Sequence, residues 1–234
     1  MNLVQLFRSE LVASGKDRRV TGVEERRQKL RKALIAAAER AISRRGLTHL
    51  RARDLAKEAK CAVGAIYNVF PDLDALIFEV NGRTLARFEQ FLEKAKDPIP
   101  RGRRAGNPAV EQLIHLAVTY VDFAVKNHMR WRALFDHRVE DEGAEAIPDW
   151  YVAEQARMFD LVEKPLRDLR PDMKDEALNR FAKTMFSAVH GVVSLGLDTK
   201  LMALPANVLR DQVMMLVGAL ADGLLAGRPA PRPR

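Results

Sequence analysis

The residues of this sequence whose chemistry is easiest to interpret lie between positions 51 and 68. Arg51 and Arg53 carry guanidinium groups that can bind phosphate, and Asn68 carries an amide that can pair with adenine in a DNA major groove. Phosphate binding is the commoner role for such arginines, and base reading stays open as the alternative. The segment therefore indicates contact with double-stranded DNA.

Small and apolar residues fill most of the space between the arginines and Asn68. Gly64 has no Cβ and permits close approach of the backbone to DNA, while Val63 and Ala65 can meet thymine methyl groups. Because few long donors stand here, hydrogen-bonded readout of bases is expected to be limited. The residues predicted to contact DNA are Arg51, Arg53, Ala62, Val63, Gly64, Ala65, Tyr67 and Asn68.

Two short helices must hold these side chains in place. One apolar stripe at helical spacing precedes a turn at residues 60–62, and a second follows it. The stripes consist of Leu55, Ala56 and Ala59, and of Ile66, Val69 and Phe70. They need a third helix to bury them, and the segment from Leu30 to Ile42 has apolar residues at spacings of three and four. The pattern predicts a helix-turn-helix, whose second helix enters the major groove.

The same segment resembles the DNA-binding signature of the TetR-type (tetracycline-repressor-like) transcriptional regulators. The resemblance is carried, without gaps, by Asp54-Leu55-Ala56, Ala59, Gly64-Ala65-Ile66-Tyr67 and Phe70-Pro71. It implies that Tyr67 touches a phosphate through its hydroxyl. Arg51 or Leu50 stands where a capping Thr or Ser is usual, Lys60 where the turn has Gly, and Leu73 where a Lys is expected. The family's phosphate contacts therefore do not all transfer to this chain.

Positive charge is concentrated in the first 70 residues. They hold 16 Lys and Arg against 7 Asp and Glu, a net charge of +9, whereas the remaining 164 residues hold 23 against 24. The whole excess of +8 thus lies with the helix-turn-helix pattern, as expected of a phosphate-binding module joined to a neutral body. A solvated basic tail is the alternative, although the charge continues into the helices.

The chain is predicted to open with a flexible basic arm, residues 1–24, followed by the DNA-binding domain at residues 25–72. The arm contains Lys16, Arg18 and Arg19. It could enter the adjacent minor groove, as homeodomain arms do, or it could raise affinity without reading sequence.

Residues 73–226 are predicted to form a helical domain for effector binding and dimerisation, and residues 227–234 a disordered tail. Helices are predicted from position 72 to about 96, and at 109–126, 128–137, 148–169, 172–197 and 205–226. A loop at 97–108 separates the first of them from the second, and a loop at 139–147 separates the third from the fourth. No alternating strand pattern competes, so the chain is predicted to be all-α.

The last two long helices are apolar over most of their circumference, which requires more than one burying neighbour. Two such helices from each of two chains would form a twofold-symmetric four-helix bundle. A homodimer could then place two recognition helices about 34–36 Å apart, one turn of DNA. An internally packed monomer is the alternative. The predicted interface residues are Phe181, Met185, Val189, Val192, Leu209, Val213, Leu216, Val217, Leu220 and Leu224.

Aromatic side chains of the body are the candidates for a small-molecule site. Trp131 and Trp150 stand out because large residues beside loops often face a cavity. Residues 186–195 resemble the Trp-x-x-x-His-Gly signature of one TetR C-terminal subgroup, with Phe186 in place of Trp; His190 could line a pocket or serve packing. Few charges fall on these faces, which predicts an apolar ligand. The predicted pocket residues are Tyr120, Phe123, Trp131, Phe135, Trp150, Met158, Phe159 and His190.

Motifs of catalysis and of cofactor binding are missing from the sequence. It has no phosphate loop, dinucleotide glycine motif, nucleophile elbow or zinc-binding helix, so no catalytic residue, cofactor or metal is predicted. Cys61 is the single cysteine, which excludes an internal disulfide and suits a reducing compartment, the cytoplasm; a redox-sensing role is the alternative to a structural one. No apolar run approaches the roughly 20 residues of a membrane span.

These observations predict a DNA-binding transcriptional regulator. We expect a cytoplasmic repressor that binds a palindromic operator as a homodimer and is released by a small apolar ligand. A basic helical interaction protein, or a nonspecific nucleic-acid binder without an effector, is the alternative.

Overall fold

The computed structural model describes residues 3–95, 107–139 and 147–227, with side chains from residue 22 onward. These residues form nine α-helices and one short 3-10 helix and contain no strand, which confirms the all-α prediction. The chain divides into two compact units between Val80 and Asn81. The predicted loops at 97–108 and 139–147 and the predicted tail lie largely outside the described residues. Of the helices described, none is both long and apolar enough to cross a bilayer.

The first unit contains helix α1 (Leu3–Arg45), the 3-10 helix Leu47–His49, α2 (Ala52–Ala59), α3 (Val63–Tyr67) and the first turns of α4 (Leu73–Lys94). The predicted flexible arm is wrong for residues 3–24, which continue α1. Once a helix is nucleated further along, each added residue costs no new nucleation, and this stretch contains no proline to stop it. The predicted domain boundary at 72 also moves, because α4 runs through the division between the units.

The core of the first unit lies between α1 and the three elements that follow. Fully buried side chains come from each helix: Leu34, Ile35 and Ile42 of α1, Leu55 of α2, Ile66 of α3, and Leu76 and Val80 of α4. An ion pair between Arg31 and Glu79, with Nη2 and Oε1 2.6 Å apart, joins α1 to α4. The same guanidinium lies over the Phe70 ring, 5.1 Å from its centroid. Packing of this kind fixes the orientation of the short helix α3.

The second unit contains the remainder of α4, then α5 (Pro108–Lys126), α6 (His128–Asp136), α7 (Asp149–Leu169), α8 (Asp175–Leu197) and α9 (Ala206–Ala226). The predicted helices lie within a few residues of these bounds. Asn107 caps α5, its Oδ1 accepting from the backbone nitrogens of Ala109 at 3.1 Å and Val110 at 3.4 Å. Pro108 follows it at the first helical position, where a missing N–H costs nothing.

Helix α5 forms the centre of the second unit and packs against α6, α7, α8 and α9. Its Val121 and Phe123 are buried with Leu178 of α8 and with Leu209 and Val213 of α9. The Asp122 carboxylate accepts from Arg210 Nε at 2.7 Å, which ties α5 to α9 beside the core.

The structure corrects the predicted dimer interface. Six of its ten residues are buried inside the core of one chain: Met185, Val189, Leu209, Val213, Val217 and Leu224. The other four, Phe181, Val192, Leu216 and Leu220, are partly buried against the same core. The wide apolar circumference of α8 and α9 is therefore explained first by their internal neighbours α5 and α7.

Candidate DNA-binding surface and effector cavity

Helix α3 presents the predicted DNA-contacting side chains on one exposed face. Ile66 is completely buried and holds the helix against the core of the first unit. On the opposite side Val63 is 39% exposed and Tyr67 50% exposed. Ala62, Gly64 and Asn68 are exposed as well, whereas Ala65 is half-buried. All but one of the predicted residues of the recognition helix are thus accessible to a duplex.

The turn before α3 is formed without the usual residue types. Lys60 ends α2 in the left-handed conformation, with φ 55° and ψ 47°, a backbone region that favours glycine. Arg51 precedes α2 and its side chain makes no capping hydrogen bond to that helix. Its Nη1 instead donates to the carbonyl oxygens of Thr48 at 3.0 Å and Leu50 at 3.1 Å. Arg51 is exposed but partly engaged by its own chain.

A group of cations on α2 and the turn that leads into α3 has no carboxylate partner among the described side chains. Arg53, Lys57 and Lys60 are exposed and follow one another at spacings of four and three, on one side of α2 and its turn. Three other arginines of the unit are paired, as Arg31–Glu79, Arg40–Glu58 and Arg45–Asp54. Lys32 and Arg44 of α1 are exposed and also have no carboxylate partner among the described side chains. Lys57 and Lys60 were not among the residues predicted to contact DNA, although their helical spacing from Arg53 is visible in the sequence.

The second unit contains a partly open cavity of about 290 Å³. Six of the eight predicted pocket residues line it: Tyr120, Phe123, Trp131, Phe135, Met158 and Phe159. Trp150 does not, because its indole packs over Gly82 of α4, where a Cβ would lie 2.7 Å from Cζ3. His190 does not either, since it lies against the Tyr120 and Phe135 rings.

Much of the cavity wall was not foreseen. Helix α4 contributes Leu85, Phe88 and Leu92, and α5 contributes Leu113, Leu116 and Ala117. Three residues predicted for the dimer interface, Met185, Val189 and Val217, line the cavity instead. Helical periodicity identifies a buried face but not whether a void or a neighbour lies beside it. No further sequence signal distinguishes these residues from ordinary core.

Two polar side chains at the cavity, those of Tyr120 and His190, form a hydrogen bond with each other. The Tyr120 hydroxyl and His190 Nδ1 are 2.8 Å apart. Burial raises the pKa of Tyr120 well above its ordinary value and lowers the pKa of His190 below 6.5. Both side chains are therefore neutral at pH 7, and the imidazole tautomer sets which of the two groups donates in this hydrogen bond.

Tyr151 supplies a second polar group to the cavity. Burial raises the pKa of its hydroxyl to about 12, against smaller effects of hydrogen bonds with the side chains of Asn81 and Gln155. Asn81 is itself buried and donates from Nδ2 to the Ala133 carbonyl oxygen at 3.3 Å. Gln155, one helical turn beyond Tyr151, is exposed and stands at the rim. The lining holds no Asp, Glu, Lys, Arg or His, so the described wall is uncharged.

Two family models match the sequence. One, described as bacterial regulatory proteins, tetR family, matches residues 34–80; the other, described as tetracyclin repressor-like, C-terminal domain, matches residues 113–220. Together they span about two thirds of the chain. No curated protein matches the sequence. The resemblance to the Trp-x-x-x-His-Gly subgroup stays a prediction.

Solved structures share the fold of the chain. A candidate TetR-family transcriptional regulator from Rhodococcus sp. is 19% identical with a TM-score of 0.60, over 82% of this chain and 98% of its own. A tetR-family transcriptional regulator from Streptomyces coelicolor is 20% identical with a TM-score of 0.54, over 90% and 92%. RolR in complex with the ligand resorcinol is 16% identical with a TM-score of 0.54, over 89% and 98%. At these identities the likeness concerns the fold alone.

Proposed function

Because the chain belongs to the TetR family of transcriptional regulators, we propose that it is a repressor that binds a palindromic operator as a homodimer and leaves it when a small molecule enters the cavity. The proposal is carried by the exposed face of α3 together with Arg53, Lys57 and Lys60 on α2 and its turn, which are exposed and have no carboxylate partner among the described side chains. Cations placed there can clamp phosphates while α3 lies in the major groove.

The residues of α2 and α3 make two kinds of contact with DNA, one with phosphates and one with bases. The Tyr67 hydroxyl and the cations of α2 bind phosphates and set the position of the helix. Val63 meets a thymine methyl group and Asn68 pairs with adenine, so these two residues select the sequence. Gly64 permits the backbone to approach closely, because no side chain stands between it and the duplex.

The outer surface of α8 and α9 supports pairing of two chains. Met215 is 68% exposed and Leu195 49% exposed, although both are large and apolar. Ala219 and Gly223 follow Met215 on the same side of α9, and open space surrounds Gly223. A smooth apolar strip of small residues lets two helices approach closely, so this surface, rather than the buried residues first predicted, is the proposed interface.

Release follows from a difference in ligand affinity between two conformations. A molecule in the cavity contacts Leu85, Phe88 and Leu92 of α4, the helix that continues into the first unit. If the ligand binds better to a conformation that fits DNA poorly, occupancy of the cavity lowers operator affinity by the ratio of the two ligand affinities.

Footprinting and gel shifts at fixed salt on the DNA upstream of the chain's own gene test the proposal. We expect protection of a short palindrome that survives competitor DNA, and a Tyr67→Ala variant should lose operator affinity while keeping its helical content. Tyr67→Phe is the matched control, because it removes the hydroxyl and keeps the ring; it should lose about two- to tenfold, the effect of one hydrogen bond.

Two results would contradict the proposal. Uniform coating of all DNA with affinity that falls steeply with salt would indicate a nonspecific binder. Operator affinity unchanged in Tyr67→Ala would mean that α3 is not the recognition helix.

A further inference from the structure

The composition of the cavity wall restricts the charge of its ligand. None of the residues lining the cavity is acidic, basic or a histidine, and most are Leu, Val, Met or Phe. Transferring an ionised group from water into such surroundings is strongly unfavourable without a paired countercharge. The part of the occupant that lies within this wall is therefore expected to be uncharged.

The volume of the cavity and the shape of its wall restrict the size of the ligand. A cavity of about 290 Å³ lies at the lower end of the sizes common for small-molecule sites, so the space suits one or two rings. Phe88 lies 5.0 Å from Phe123, and Phe159 lies 5.5 Å from Phe186, between ring centroids. The second pair is nearly perpendicular, at 78°. Such walls offer both ring faces and ring edges to an inserted aromatic ring.

The polar groups of the wall differ in how far they are already engaged. The Tyr120 hydroxyl is bonded to His190 at 2.8 Å, and the Trp131 indole Nε1 is enclosed by protein atoms. The Tyr151 hydroxyl is engaged as well, with Asn81 and Gln155, but its partner Gln155 is exposed, unlike His190. Tyr151 is buried at the wall, whereas Gln155 stands at the exposed rim with an amide that can rotate.

We propose that the cavity binds an uncharged one- or two-ring aromatic compound that carries one hydroxyl group, and that this hydroxyl bonds to Tyr151 and Gln155. A hydroxyl both donates and accepts, so it can give its proton to the Gln155 Oε1 and accept from Tyr151. Tyr151 and Gln155 act as specificity-determining residues for the effector. The regulatory meaning of this site rests on the proposed function, but the binding itself does not.

Hydrogen bonds at this site also link a bound ligand to α4. The Tyr151 hydroxyl is hydrogen-bonded to Asn81 on α4, and Asn81 in turn holds the Ala133 carbonyl oxygen at the end of α6. The buried Oδ1 of Asn81 has no hydrogen-bond partner among the described residues, so this network has spare capacity for rearrangement.

The test is calorimetric titration of the full chain, free of DNA, with three probes of the same ring size. These are 1-naphthol, naphthalene (by displacement of 1-naphthol) and 1-naphthoate at pH 7. We expect 1-naphthol to bind about tenfold more tightly than naphthalene, as one to two hydrogen bonds provide, and 1-naphthoate to bind most weakly. Equal affinity for 1-naphthol and naphthalene, or preference for the carboxylate, would overturn the proposal.

Variants assign the preference to its residues. Tyr151→Phe keeps the ring and removes the hydroxyl, so it should reduce the preference for 1-naphthol over naphthalene to about twofold or less while naphthalene binding is kept. Met158→Trp fills the cavity and should weaken both probes more than tenfold. Val152→Trp is its control, since Val152 is 49% exposed on the same helix and outside the cavity wall. A preference unchanged in Tyr151→Phe would also overturn the assignment.

The two proposals fail independently. A specific footprint together with no preference for 1-naphthol rejects only the ligand class. Preferential 1-naphthol binding without any specific footprint rejects only the operator.

Discussion

Substitution of Gly64 can distinguish an effect on folding from an effect on DNA binding. Gly64 is exposed, and nothing lies within 4 Å of the position that a Cβ would occupy. Gly64→Ala should therefore leave stability unchanged or raise it by up to about 0.5–1 kcal/mol, since alanine favours the helix. If the backbone approaches DNA closely here, the same methyl group should lower operator affinity at least about tenfold. Denaturant unfolding and fluorescence anisotropy on one preparation measure both effects, and full operator affinity in this variant would place DNA farther away.

Lys60 offers a test of backbone strain at the neighbouring turn. Its φ of 55° lies in the left-handed region, which costs a residue with a Cβ about 1–2 kcal/mol, partly offset by the greater chain entropy that glycine loses on folding. Lys60→Gly should be more stable than Lys60→Ala by about 1 kcal/mol, measured by urea unfolding. Both variants lose the same positive charge, so their operator affinities should fall equally. A more stable Lys60→Ala would contradict the strained geometry.

At the scale of helices, the contact between α5 and α8 makes stability depend on pH. Burial lowers the pKa of His190 below 6.5, so below that pH the unfolded chain binds a proton that the folded chain does not. The free energy of unfolding should therefore fall as the pH decreases from about 6.5, and His190→Gln should flatten this slope. His128, whose pKa is lowered by burial first and by Arg132 second, accounts for a further part that His128→Gln removes. Urea titrations between pH 5 and 7.5 measure the slopes, and an unchanged slope in His190→Gln would contradict this assignment.

Helix positions were predictable from the sequence because their ends carry strong local signals. Asn107-Pro108 starts α5, Pro148 precedes α7 and Pro205 precedes α9. The helical continuation of α1 to Leu3 was missed, since charge and polarity alone suggested an arm. Local signals also could not say what covers an apolar face. Met185 and Val217 were expected between chains, and they line the cavity inside one chain.

At the scale of the whole molecule, the proposed pairing through α8 and α9 can be tested with a charge. Met215→Glu would place an unpaired carboxylate in an apolar interface, which costs several kcal/mol, so the dissociation constant of the dimer should rise about a hundredfold or more. Sedimentation velocity at micromolar concentration should then show single chains. Val152→Glu, an equally drastic change at an exposed position of α7, should leave the assembly intact.

Gly82 can influence the effector preference of this protein through its contact with Trp150. Its missing methyl group makes room for the Trp150 indole, and Tyr151, the next residue, carries the hydroxyl at the cavity wall. Adding one carbon atom at position 82 would push the indole away and shift its neighbour with it. Such a variant could acquire a new inducer although no wall residue had been replaced. A search for altered inducers should therefore include this position, which a design confined to the pocket lining would overlook.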